Sequence, residues 1–143
     1  MMNLDSFSAR PPRDRDVFAK AHLDRLAGEF IRTTLQRLPG TREGTVMSPG
    51  PKPYRRLDCD GRALVYIRSR PRKGAVRVDV SGLWAVPRTH PLWSATASGS
   101  ATLFLERKED LAGAVEFLGQ AIRMTREAEA AQRARKRHVR AVE

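Results

Sequence analysis

Cysteine, lysine, carboxylates, aromatic rings and long apolar runs are all scarce in this sequence, and each shortage excludes something. Cys59 has no second cysteine to pair with, so no internal disulfide can staple the chain. No apolar run approaches the roughly 18 residues that span a bilayer, so no membrane partner is expected. The opening residues, Met1-Met2-Asn3-Leu4-Asp5-Ser6-Phe7, lack the basic and apolar regions of a signal peptide, and a cytoplasmic location is the simplest inference. The histidines His22, His90 and His138 are scattered without metal-ligand spacing. There is no P-loop, no nucleotide-binding glycine motif and no serine nucleophile elbow. Neither a catalytic residue, a cofactor site nor a metal site is expected.

What is present is positive charge. The 143 residues carry 27 Lys+Arg against 16 Asp+Glu, a formal net charge of +11. Lysine contributes only Lys20, Lys52, Lys73, Lys108 and Lys136, and the other cations are arginines. A surplus of this size attracts nucleic acid, anionic surfaces or acidic proteins and says nothing about fold. A compositional bias towards arginine is the competing explanation. The apolar fraction of 41% and charged fraction of 30% are ordinary, and the length suits one domain with a single core.

Residues 1–13 show no periodicity and end in Arg10-Pro11-Pro12-Arg13, which reads as a flexible arm joining the fold near Asp14. Asp14 or Asp16 is placed to cap a helix whose apolar stripe is Leu23, Leu26, Ala27, Phe30, Ile31, Thr34 and Leu38, stopped by Pro39-Gly40. From Pro39 to Pro53 helix breakers dominate, so a loop is expected, with a brief extended piece at Thr45-Val46-Met47. Two strand-like runs follow, Tyr54 to Cys59 and Arg62 to Arg68, joined by Asp60-Gly61, a dipeptide suited to a tight hairpin. Arg70-Pro71-Arg72-Lys73-Gly74 turns the chain into Ala75 to Ser81, where Val76, Val78 and Val80 alternate with Arg77 and Asp79. Residues 82–100 read as a long loop before a last strand at Ala101 to Glu106. A final helix opens near Glu109-Asp110 on the stripe Leu111, Ala114, Val115, Leu118, Ala121 and Ile122. Beyond Thr125 that stripe ends, and residues 127–143 read as a basic helical extension leaving the core.

This order of elements resembles the small bacterial double-wing proteins of the MmcQ/YjbR-like family. Leu38-Pro39-Gly40-Thr41-Arg42-Glu43 resembles that family's helix-ending LPG-x-x-E, and Gly61-Arg62-Ala63-Leu64 with Tyr66 resembles its G-K-x-F hairpin entry. The likeness covers residues 14–126 and departs at Ser100-Ala101-Thr102, where the family has an aromatic. It implies DNA contact by analogy of fold.

Between Lys52 and Arg77 the cations Arg55, Arg56, Arg62, Arg68, Arg70, Arg72, Lys73 and Arg77 face only Asp58 and Asp60. Guanidinium groups bind phosphates bidentately, and the turn from Arg70 to Lys73 projects them beyond the sheet. Arg126 at the end of the domain and Arg133, Arg137 and Arg140 of the extension share one helix face, a stripe that suits a row of phosphates as well as a solvated tail. Tyr54 and Tyr66 are spaced to meet across the hairpin as a stacking platform or as covers of a core edge. Trp84 and Trp93 flank Arg88 and His90 in the long loop, where they anchor it or recognise a partner.

The sequence therefore predicts an α+β domain over residues 14–126, a four-stranded antiparallel sheet packed by an N-terminal helix and a long C-terminal helix. The leading expectation is a non-catalytic protein that binds DNA or RNA phosphates through Arg55, Arg56, Arg62, Arg68, Arg70, Arg72, Lys73 and Arg77, with Arg133, Arg137 and Arg140 from the extension. A module that binds an acidic protein within a larger assembly is the alternative. A metal-dependent nuclease built on Asp58, Asp60 and Asp79 is the third.

Overall fold

The computed structural model describes residues 14–45, 54–93 and 101–142. Helix α1 spans Asp14–Arg37, and strands β1 (Thr41–Gly44), β2 (Arg55–Cys59), β3 (Arg62–Arg70), β4 (Ala75–Val80) and β5 (Thr102–Leu105) lead to helix α2, Asp110–Val142. The strands form one antiparallel meander in the order β1-β2-β3-β4-β5. The architecture is α+β as expected, with five strands where four are predicted. The arm at residues 1–13, the rest of the loops at 46–53 and 94–100, and the capping side chains of Asp14 and Asp16 lie outside the described residues.

The additional strand is β1, formed directly after α1; the extended piece expected at Thr45 to Met47 lies, but for Thr45, outside the described residues. Leu38-Pro39-Gly40 ends the helix, and Gly40 takes a φ of +88° that turns the chain back along β2. The Thr41 hydroxyl donates to the Leu38 carbonyl at 2.6 Å and fixes this corner. Thr41, Arg42, Glu43 and Gly44 then pair with Cys59, Asp58, Leu57 and Arg56. Gly44 is required here, because a Cβ at that position would lie 2.7 Å from an Asp58 carboxylate oxygen. The missing side chain lets an edge strand pass over a charged group.

The Asp60-Gly61 hairpin forms as predicted, with φ of 54° at Asp60 and 77° at Gly61, both positive as a primed two-residue turn demands. One residue further on, β3 bulges: Leu57 pairs with Val65 but Asp58 pairs with Ala63, leaving Leu64 as the extra residue. At the far end of β3 a 3-10 turn, Pro71–Lys73, closes on Gly74 in the left-handed conformation.

Side-chain alternation assigns the two faces of the sheet. Leu57, Val65, Ile67, Val76, Val78, Val80, Leu103 and Leu105 point to one face and are buried together with Leu23, Leu26, Phe30 and Ile31 of α1 and Leu111, Val115, Phe117, Leu118 and Ile122 of α2. Both helices therefore lie on the same face. Trp84, 3% exposed, joins this core and donates its indole N–H to the Ala63 carbonyl at 2.7 Å. It anchors the loop, while Trp93 is only half-buried, with the Arg88 guanidinium 6.0 Å from its ring. No helix among the described residues is long and apolar enough to cross a membrane.

Candidate nucleic-acid interface

The face of the sheet opposite the helices is built by the register itself. One row across it reads Gly44, Arg56, Tyr66, Asp79 and Thr102, and the next reads Arg68, Arg77 and Phe104. Tyr54, just before β2, reaches this face and meets the Tyr66 ring edge-on, with centroids 5.6 Å apart at 72°. Arg42, Asp58 and Arg70 share the same side by alternation. Phe104 is 47% exposed, and Lys73 of the adjoining turn places its ammonium 6.0 Å from that ring. Guanidinium and aromatic groups are interleaved on a surface with two carboxylates, Asp58 and Asp79.

Both carboxylates are occupied. Arg56 donates to Asp58 at 2.6 Å, and this bond raises the affinity of the Arg56 guanidinium for its proton. Arg77 donates to Asp79 at 3.0 Å, and the Thr102 hydroxyl donates to the same carboxylate at 2.9 Å. These pairs hold two arginines in place on the sheet. Arg68, Arg70, Arg72 and Lys73 pair with no carboxylate among the described residues. Arg42 of the same face likewise pairs with no carboxylate among the described residues, and Arg42, Arg72 and Lys73 are exposed.

Other predicted contacts lie elsewhere. Arg55 has the opposite alternation and pairs with Glu43 at 2.8 Å. Arg62 also points to the helix face, where it bridges Glu129 at 2.8 Å and covers Trp84 at 4.7 Å. Arg126, part of the expected stripe on α2, is instead a structural clamp. Its guanidinium donates to both oxygens of Asp60, at 2.9 and 2.8 Å, and to the Pro39 carbonyl at 3.0 Å. That fork holds the Asp60 carboxyl below its ordinary value and raises Arg126 in turn. Arg133 comes within 4.0 Å of Glu129, while Arg137 and Arg140 are exposed on a stretch of α2 with no core face.

The two basic clusters are therefore separate. Arg126 ties α2 to the β2–β3 turn, from which β3 runs nine residues away, about 30 Å, to Arg70, while α2 continues beyond the same turn towards Arg140. Phe104 and Arg42 belong to the open face and were not singled out as site residues by sequence. The alternation of Leu103, Phe104 and Leu105 was the available signal: the outer two bury, so the middle one faces out.

Asp58, Asp60 and Asp79 are each bound to a different arginine. Among the described residues no three His, Cys, Asp or Glu side chains are grouped to hold a metal ion. Cys59 is buried, which pushes its thiol up. His90 is buried against Phe117 and accepts from the Leu92 amide at 3.1 Å through Nδ1. An open groove of about 400 Å³ between the end of α1 and the middle of α2 is lined by Leu38, Pro39, Ile122, Arg123, Glu127 and Arg126, the last already committed to Asp60.

No protein-family model, no curated protein and no solved structure matches this chain.

Proposed function

We propose that this protein binds nucleic acid without catalysing a reaction on it, using the helix-free face of the sheet and the adjoining β3–β4 turn. One observation carries the reading: Arg56, Arg68, Arg70, Arg77 and Lys73 are interleaved with Tyr54, Tyr66 and Phe104 on one surface. Cations supply attraction to phosphates, and the exposed Phe104 ring beside the half-buried Tyr54 and Tyr66 supplies contacts that a purely acidic protein surface would not reward. The likeness to double-wing proteins points the same way by analogy.

An acidic protein partner anchored by tryptophans receives less support, because the Trp84 indole is committed to the core. The extension with Arg133, Arg137 and Arg140 adds a second cationic surface that contributes on ligands long enough to reach it.

Titration against nucleic acid at several salt concentrations tests the reading. Changing Arg70, Arg72 and Lys73 together to Ala should flatten the slope of log affinity against log salt by about two to three, at about 0.7 to 0.9 per lost phosphate contact. Wild-type slope in the triple variant would remove the turn from the interface.

A further inference from the structure

Resting on that reading, and narrowing it, we infer that the open face takes single-stranded nucleic acid, with unpaired bases stacked on Tyr66 and Phe104 and the connecting backbone passing over Arg77.

The shape of the face does not fit the major groove of a regular duplex. Five strands at about 4.8 Å spacing make a surface about 19 Å across, wider than the major groove of about 12 Å. Phosphates of a duplex can touch the turn, but its bases are stacked on one another and have no free ring face for Phe104. An unpaired base has two. Phe104 exposes nearly half its surface on a strand whose neighbouring leucines are buried, so the ring contributes little to the core.

The rings are also placed for a chain rather than a single base. Tyr66 lies on β3 opposite Asp79, and Phe104 lies on β5 opposite Arg77. Two strand spacings and a two-residue offset separate them by about 12 Å, too far for one base to bridge. Arg77 stands between them on β4, held by Asp79 through Nε, with its terminal nitrogens bonded to no described residue and so open to a phosphate. Tyr54 packs edge-on against Tyr66 and fixes its ring. Lys73 and Arg70 continue the cationic side of this path at the turn. Ring, guanidinium and ring in sequence match base, phosphate and base along one strand.

The test uses the full chain and labelled oligonucleotides of about 12 nucleotides, within the usual range of single-strand site sizes. Anisotropy titrations would compare oligo-dT, oligo-U and a duplex DNA of the same length at one salt concentration. Single strands should bind about tenfold or more tightly than the duplex. Phe104→Ala should weaken single-strand binding by about tenfold, leaving duplex affinity and the salt slope as they were, and Phe104→Trp and Tyr66→Phe should retain it. Preference for dT, for U or for neither satisfies the proposal in each case. Equal affinity for strand and duplex, or wild-type binding by Phe104→Ala, overturns it while leaving phosphate contact standing. Absence of salt-sensitive binding to all three probes overturns the broader reading instead.

Discussion

Two single residues show how closely charge and backbone are fitted in this fold. Gly44 has no Cβ, and the space it leaves is filled by Asp58, the carboxylate that orients Arg56. Gly44→Ala should therefore destabilise the protein by about 1 to 3 kcal/mol, the usual cost of forcing atoms into a packed site, measurable by denaturant unfolding. Arg126 joins three elements that are distant in sequence, through Asp60 and Pro39. Because the pair is partly exposed, with side chains 43% and 35% accessible, Arg126→Ala should cost only about 1 kcal/mol, or about 3 °C in melting temperature. The pH dependence has a definite sign. Asp60 is held below its ordinary value near 3.8, so its contribution is complete above that value and is lost as pH falls through the lower folded one. The stability gap between wild type and Arg126→Ala should stay constant from neutral pH down to about 5 and close below about 4. A gap that widened in acid would contradict the clamp.

At the scale of elements, α2 behaves as two helices in one. Up to Thr125 it buries Leu111, Ala114, Val115, Phe117, Leu118, Ala121 and Ile122, whereas residues 130–141 are exposed all round. Truncation after Ala130 keeps the Arg62–Glu129 bridge and should move the unfolding free energy by no more than about 0.5 kcal/mol, as for other changes outside the core. Far-ultraviolet circular dichroism should lose helix signal at the same time. A large loss of stability would mean that the extension packs on something.

The elements legible in sequence are those that local rules decide. Positive φ at Asp60 and Gly61, the period of α1, the alternation of β4 and the fading stripe of α2 are all written in consecutive residues. Strand β1 was not, because Thr41 to Gly44 carry no apolar pattern and become a strand only through pairing with β2 and the space above Asp58. The bulge at Leu64 was equally hidden: Ala63, Leu64 and Val65 are all apolar, and nothing local says which one is the extra residue. Of the candidate site, the cationic hairpin and the Tyr54–Tyr66 contact could be read. That both helices cover one face, turning Arg55 and Arg62 away from Arg56 and Arg68, depends on how distant elements cross and lies beyond residue spacing.

For the whole molecule, the distribution of charge matters more than its sum. Apart from Asp58 and Asp79, the described carboxylates lie on the helices, on the helix side of β1, in the Asp60 turn and at the β5–α2 corner, so the open face keeps a positive excess that the turn extends. The extension is a second excess, displaced in the other direction. Arg140 lies fourteen residues beyond Arg126, about 21 Å along the helix axis, on the side of the β2–β3 turn away from Arg70. A short ligand seated on Tyr66 and Phe104 cannot reach it. Two linked sites raise affinity only when one ligand spans both, so length becomes the variable that separates them. Changing Arg133, Arg137 and Arg140 together to Ala should leave the affinity for a strand of about 10 nucleotides within twofold of wild type. The same variant should bind a strand of about 40 nucleotides roughly tenfold more weakly, with a salt slope lower by about two. Equal losses on both lengths would place the extension inside the primary site. No loss on either would make it a solvated tail, and the face and turn would then carry the whole of the interaction.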